Sequence, residues 1–334
     1  MSDMSIKKWT WGVERQYLGL DIELKETRQG FVDGLVELAG ENENIICLTA
    51  DLMHATKVDK FAYLFPDRFF NVGIAEQNMM GIAAGLSRCG FIPFVATFAV
   101  FATMRACEQV RTDIAYTSSN VKIVGTGGGF SFGIGGVTHS GNEDLGIMRS
   151  IPNMTIIIPV DYLEAKKAVA AITKLKGPVY MRIGRTGEPV INKNDYDFSI
   201  GESITLKDGE DVCIYAIGPM VYESLVAASI LEKDGISVRV VNMHTLKPVD
   251  KKEIIDSARS KKMILTVEEH NIIGGLGSAV SEVLSENIFQ KIKFKRLGLN
   301  DEFITPGKPD ELREYYKLKG KYIAECIKNS KEIL

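Results

Sequence analysis

The sequence predicts an α/β protein of two doubly wound domains, and three observations carry that reading. Short β-rich runs alternate with helical patterns along the chain, the signature of parallel sheets with helices on both faces. The strand candidates are apolar nearly throughout rather than alternating, as befits strands buried on both sides. The alternation then breaks at residues 191–211, where NKNDYD and KDGED turn polar and irregular, and restarts beyond them. A chain of 334 residues suits roughly two domains of about 150 residues each. The expected division is an N-terminal extension over 1–21, a first domain over 22–190, a linker over 191–211 and a second domain over 212–334.

The elements follow in order. A helical pattern over residues 25–39 leads to an apolar strand at 45–48. Next comes a helix over 75–88, entered from the turn at Gly73, and a strand at 92–96. A helical pattern at 99–116 precedes strands at 121–124, 155–158 and 179–183, with a helix at 162–173 among them. Past the linker, strands are expected at 212–216, 238–242 and 264–267, with helices at 222–233, 251–260 and 278–284. A last apolar run at 294–299 adds a strand, and residues from Asp310 onward read as helices.

Composition excludes several classes of function. With 45% hydrophobic and 25% charged residues the chain is an ordinary globular one, and a net charge of -3 argues against a nucleic-acid binder with a basic face. Cys47, Cys89, Cys107, Cys213 and Cys326 are scattered, with no CxxC pair, which suits reduced thiols better than a disulfide scaffold or a zinc site. The first twenty residues hold no apolar core of signal-peptide length. The most apolar stretch, 91–104, is too short to span a bilayer and contains Pro93. A cytoplasmic location and no membrane partner are expected.

The stretch RFFNVGIAEQNMMGIAAGL, residues 68–86, is the most informative. It sets one acidic residue, Glu76, between a strand-to-helix turn and a helix of Met79, Met80, Ile82, Ala83, Ala84 and Leu86, expected to be buried nearly all round. A carboxylate there is costly unless something hydrogen-bonds to it. A first-turn glutamate favoured by the helix dipole is the plain alternative. The residues around it decide between them.

KETRQGFVDGLVELAGENENIICLTADL, RFFNVGIAEQ and THSGNEDLGIMRSIPNMTIIIPVD occur in this order, and together they resemble the C-terminal half of transketolase. The likeness runs from about Lys25 to the chain end. It implies a thiamine-diphosphate pyrimidine-binding domain followed by a transketolase C-terminal-like domain. The GDG motif and downstream asparagine that hold the diphosphate and Mg²⁺ in such enzymes have no counterpart; the nearest, Lys207–Asp208–Gly209, falls in the linker. A separate N-terminal transketolase subunit is therefore expected to supply that site, in an α2β2 assembly, and no metal ligand is assigned to this chain.

The resemblance implies a role for each candidate residue. Thiamine diphosphate reacts through a C2 carbanion, formed when its imino nitrogen takes the C2 proton; a carboxylate on N1′ favours that form. Glu76 is the implied carboxylate. Phe98 and Phe101, three apart, are the implied wall against the aminopyrimidine ring, though core packing would also account for phenylalanines. Met104 stands where a third aromatic is common. Arg105, Glu108 and Arg111 read as an intrahelical charge ladder or interface pairs. Asp51, at the end of the strand in LTADL, is the position where the family approaches the cofactor; a strand-end cap explains it nearly as well.

The glycine-rich stretch GTGGGFSFGIGGVTHSGNED, residues 125–144, lets backbone approach a ligand closely, but lacks the spacing of a nucleotide-binding motif. By resemblance His139 reaches substrate hydroxyls and moves protons at the ketose. The cluster Asn142–Glu143–Asp144 is expected to cap the following helix. This loop also departs from the common pattern. An aspartate that senses acceptor stereochemistry is replaced by Gly135, and a phosphate-contacting histidine by Gly127. The substrate is thereby expected to differ from the usual pentose-phosphate pair, as a bulkier or differently substituted sugar. Arg185 and Arg182 are the anion-binding candidates, with an interface salt bridge as the even alternative for Arg182. In the second domain, Gly274, Gly275 and Gly277 precede a helix whose N-terminus is expected to face the partner or an anion, and His244 and His270 are structural.

The reading is thus the C-terminal subunit of a thiamine diphosphate- and Mg²⁺-dependent transketolase, moving a two-carbon ketol unit between sugars. A deoxyxylulose-phosphate-synthase-like carboligase, a 2-oxoacid dehydrogenase β-subunit and a non-catalytic interaction subunit are its rivals.

Overall fold

The computed structural model describes residues 23–192, 196–287 and 292–330; the expected extension over 1–21 lies outside them. The first domain begins with β1 (Leu24–Glu26) and α1 (Thr27–Glu41), then β2 (Ile45–Thr49), α2 (Asp59–Leu64), β3 (Phe69–Asn71), α3 (Glu76–Arg88) and β4 (Ile92–Phe98). A helical segment follows in which α4 (Cys107–Gln109) lies between π-helical turns at Phe101–Arg105 and Val110–Ala115. Then come β5 (Lys122–Thr126), α5 (Asp144–Ser150), β6 (Thr155–Ile157), α6 (Tyr162–Lys174), β7 (Val179–Ile183) and β8 (Gly187–Pro189). The second domain holds β9 (Ile204–Lys207), β10 (Val212–Ala216), α7 (Met220–Lys233), β11 (Val238–Asn242), β12 (Thr245–Lys247), α8 (Lys251–Ser260), β13 (Met263–Asn271), α9 (Leu276–Asn287), β14 (Lys293–Leu299), α10 (Pro309–Tyr315) and α11 (Gly320–Lys328).

The two large sheets are built as the apolar runs predict, and β1 pairs antiparallel with β8 in a separate two-stranded sheet. The first is seven-stranded in the order β12-β6-β7-β5-β4-β2-β3, parallel except for β12. The second is five-stranded in the order β14-β13-β10-β11-β9, parallel except for β9. Central strands such as β2, β5, β7 and β10 are buried along their whole length. That burial on both faces is why their sequences do not alternate. Five short strands are absent from the expected set: β1, β3 and β8 in the first domain, and two more. Residues 204–207, expected in the linker, form an edge of the second sheet, and Thr245–Lys247 crosses back to pair with β6 in the first.

One apolar cluster continues through the domain junction, joining Met148, Ile156 and Ile158 to Tyr215, Met243, Ile254 and Leu276. The junction also carries ion pairs. Arg313 of α10 donates to Glu269 at 2.6 Å and to Glu188 at 2.7 Å, and Glu269 accepts the Phe130 amide at 3.1 Å. The second domain thereby fixes the glycine-rich loop of the first. All three charges of that triad are buried, where such a group holds only if each member is bonded.

The first sheet winds outward from β2 to β3 and then back across to β4. Such a reversal leaves a crevice beyond the carboxyl ends of the strands. Asp51, Asn71 with the turn into α3, Phe98 and the loop after β5 all lie at those ends.

Candidate active site

Glu76 opens α3 and is only 2% exposed. Both of its carboxylate oxygens accept from Nη1 of Arg105, at 2.9 and 2.8 Å. The arginine side chain is 45% exposed. This pair replaces the expected charge ladder: Glu108 instead accepts from Thr112 at 2.9 Å. The π-turns explain the change, because they reset which side chains share a face of the segment. The helix itself is not buried all round. Met79, Met80, Ala83 and Ala84 face the core, while Gln77, Asn78 and Gly85 form an open stripe.

The Arg105 guanidinium lies 4.0 Å above the Phe101 ring, a cation–π contact. Phe101 meets the His139 ring at 5.5 Å between centroids, and His139 meets Phe132 at 5.3 Å. Phe98 closes the box, 5.1 Å from Phe132 and 5.7 Å from His139. On Phe132 rests the Arg185 guanidinium, at 3.9 Å. Glu76, Arg105, Phe101, His139, Phe132 and Arg185 thus form one continuous row from a buried carboxylate to a guanidinium. The edge-to-face spacings are those that aromatic pairs favour. His139 is held by Thr138, whose Oγ1 lies 2.8 Å from Nδ1, so Nε2 is the nitrogen left for other contacts.

Asp51 sits just beyond β2 with φ of 61°, a conformation sparsely populated outside glycine. Its amide donates to Asn71 Oδ1 at 2.9 Å, and the same oxygen takes the Gly73 amide at 3.2 Å. Asn71 therefore ties the strand end to the turn before Glu76. Met104 is 44% exposed and does not fill the box.

The two arginine candidates part company. Arg185 is half-buried, and among the described residues it has no hydrogen-bond or ion-pair partner. Burial, and then the like charge of Arg28, lower its pKa. Arg28 and Lys57 meanwhile share Glu26, at 2.7 Å each, so this corner carries excess positive charge. Arg182 is buried and its guanidinium is engaged within the protein. Its Nη2 donates to the carbonyls of Gly141 and Glu269, both at 2.8 Å, and its Nε lies 3.3 Å from Asp144.

Two other expectations are corrected. Asp144 does not cap α5: it accepts the Tyr180 hydroxyl at 2.7 Å, and Glu143 at the N-cap position makes no side-chain cap bond. The N-terminus of α9 is not open to an outside anion, because Glu268 takes the amides of Leu276 and Gly277 at 2.7 and 2.8 Å. The carboxylate that the helix end favours is the chain's own. His244 and His270 are fully buried, each with its pKa lowered to about 4, chiefly by burial. Sequence reasoning missed Arg105, Asn71 and Phe132; the signal for Phe132 was an aromatic placed between the two departing glycines.

Comparison with known proteins gives the family. Residues 24–187 match the model of the transketolase pyrimidine binding domain, and residues 201–323 that of the transketolase C-terminal domain. This chain belongs to the transketolase family. A Methanocaldococcus jannaschii protein provisionally named a transketolase C-terminal section is 47% identical over 305 residues, spanning 91% of this chain and 95% of that one. The 6-deoxy-6-sulfo-D-fructose transketolase subunit of Clostridium sp. (strain MSTE9) is 41% identical, covering 92% and 95% respectively. A solved structure described as a split gene transketolase, an inactive β4 tetramer, superposes with a TM-score of 0.83 at 44% identity, covering 92% of this chain and 98% of that one. The transketolase chain described here is thus a C-terminal subunit with homologues among split transketolases. No helix among its described residues is long and apolar enough to cross a membrane.

Proposed function

We propose that this chain is the C-terminal half of a thiamine diphosphate- and Mg²⁺-dependent transketolase, which moves a two-carbon ketol unit from an anionic ketose to an aldose. The observation that carries the reading is the unbroken row from Glu76 through Phe101 and His139 to Arg185. The residues fit the cofactor. Phe98 and Phe101 offer two apolar rings, 5.5 Å apart and tilted by 45° to each other, and Glu76 is a buried carboxylate whose partner Arg105 stands half in solvent. When bound, thiamine diphosphate would supply a nucleophilic carbon able to attack and later release a carbonyl.

The chain's own groups do the rest. Glu76 would hold the proton shared with N1′, in a place where low dielectric strengthens the bond. Each of its oxygens keeps acceptor capacity beside the single nitrogen of Arg105. Phe98 and Phe101 would exclude water, and Asp51, on its constrained strand end, would approach the same ring. His139, steadied at Nδ1 by Thr138, would move protons at the sugar hydroxyls through Nε2. Arg185 would bind the anionic end of the sugar. Arg182 is left out of substrate binding because its donors are used within the protein.

Among the described residues no group of three His, Cys, Asp or Glu side chains could hold a metal. The diphosphate and Mg²⁺ are assigned to an N-terminal partner in an α2β2 enzyme in the cytoplasm. The split-gene transketolase described as an inactive β4 tetramer supports a requirement for a second chain.

The test is co-purification with the N-terminal partner and assay of ketose plus aldose against pyruvate plus aldehyde. Glu76→Gln is expected to abolish ketol transfer while the assembled protein stays folded. Near-normal turnover in that variant, or activity with pyruvate alone as donor, would overturn the reading.

A further inference from the structure

The glycine-rich loop lacks polar side chains at two points that flank His139, and one ring lies against both. A Cβ built at Gly127 would meet Cβ and Cδ1 of Phe132 at 3.3 and 3.7 Å, and one at Gly135 would meet Cβ of His139 at 2.8 Å and Cδ2 of Phe132 at 3.6 Å. Phe132 and His139 therefore occupy the room that a side chain at either position would enter, and the apolar ring stands in its place. It touches the site's other members too: Phe98 and His139 edge-on, and Arg185 across its face. Arg185 makes no hydrogen bond or ion pair among the described residues, so its charge remains available beyond the ring.

We propose that Phe132 is the specificity-determining residue of this site. With Arg185 stacked on it, the ring forms a platform for an anionic sugar that presents C–H rather than O–H groups between the atom handled by His139 and its anionic end. This rests on the transketolase reading above. The chemistry follows from what each surface can reject. A site that hydrogen-bonds a hydroxyl discriminates against the analogue lacking it by about 10⁴–10⁵, because its own polar groups are left unpaired. An apolar wall cannot reject an added hydroxyl by more than about 10². Here the wall is a benzene ring, so the deoxy sugar is favoured by that smaller factor. The guanidinium, 3.9 Å over the ring and without a protein partner among the described residues, is matched to a planar or tripodal anion.

The experiment uses the assembled enzyme, with hydroxypyruvate as ketol donor and three acceptors: glycolaldehyde, ribose 5-phosphate and 2-deoxyribose 5-phosphate. Glycolaldehyde has no anion and no chain to cross the ring, so it reports transfer itself. The parent enzyme is expected to favour the deoxy acceptor over the hydroxylated one by roughly 10-fold or more in kcat/KM, within the limit for an apolar wall. Phe132→Ser is expected to abolish or invert that ratio through KM of the phosphorylated acceptors. Phe132→Leu, which keeps an apolar side chain and guards against misfolding of the serine variant, is expected to retain the deoxy preference while raising KM for both phosphates. If the parent transfers nothing to glycolaldehyde, the transketolase reading itself fails. If it transfers to glycolaldehyde but the ratio is the same in parent, serine and leucine variants, or neither pentose phosphate is used, Phe132 does not set specificity.

Discussion

The pair between Glu76 and Arg105 makes a quantitative prediction that does not depend on turnover. Its members are unequal: the carboxylate side chain is 1% exposed and the guanidinium 45%. Exposed pairs contribute about 0–1 kcal/mol, and breaking a fully buried one costs about 3–5 kcal/mol. One half-solvated member places this pair between them, at about 1–3 kcal/mol. The two deletions should also differ. Arg105→Met strands a carboxylate that has no other hydrogen-bond partner among the described residues. Glu76→Gln leaves an arginine that can turn into water and keep its stacking on Phe101. Arg105→Met should therefore be the more destabilising, and adding Glu76→Gln to it should recover part of the loss.

Thermal or urea unfolding of the four chains forms a double-mutant cycle. At about 2–4 °C per kcal/mol for a protein of this order of size, Arg105→Met should lower the midpoint by several degrees. The interaction energy should fall within about 1–3 kcal/mol. Additivity of the single variants to within about 0.3 kcal/mol would refute the pairing. So would a larger loss from Glu76→Gln than from Arg105→Met, since that ordering requires the carboxylate to have other partners.

Further consequences follow from the buried charges. Arg313→Met leaves Glu188 and Glu269 facing each other without their cation, and should cost about 3–5 kcal/mol in unfolding experiments; hydrogen exchange at the Phe130 amide should quicken, whereas an unchanged midpoint would deny the triad its role. His244 and His270 have folded pKa values of about 4 against 6.5 unfolded, each lowered chiefly by burial. They are neutral in the fold, and the unfolded chain takes up their protons below about pH 6.5. Stability is thus lost as pH falls from about 6.5 to 4, at up to about 1.4 kcal/mol per pH unit for each. His270→Asn should flatten that limb by one proton, measured as the midpoint against pH; an unaltered slope would contradict a neutral buried ring. Glu164 behaves oppositely. Burial first, then Asp161, raise its pKa from 4.5 to about 8, so the fold retains a proton that the unfolded chain has lost, and stability declines as pH rises from about 4.5 to 8. Glu164→Gln should gain relative to the parent across that window, and a constant difference between the two would count against the raised value.

What the sequence could reveal tracks how locally each feature is determined. Strands buried on both faces announce themselves, because nearly every residue in them must be apolar; β2, β4, β5, β7 and β10 were legible for that reason. β12 was not. Three residues, Thr245–Lys247, leave the second half to pair with β6, and nothing within so short a segment distinguishes it from a turn; only the neighbouring edge selects it. The site divides the same way. Glu76, Phe98, Phe101 and His139 were legible through motifs, and the structure brings the carboxylate, the rings and the imidazole into one row. Arg105 was misassigned because ladder reasoning assumes regular helical spacing, and the two π-turns around Cys107–Gln109 break it. Its partner lies 29 residues away on another element. Arg182 was an open choice in the sequence, since a strand arginine beside a glycine-rich loop can serve an anion or an interface equally well. Depth in the fold separates the two: five per cent exposed and bonded to two carbonyls, Arg182 is engaged within the protein, while Arg185, three residues on and past the end of the strand, has no hydrogen-bond or ion-pair partner among the described residues.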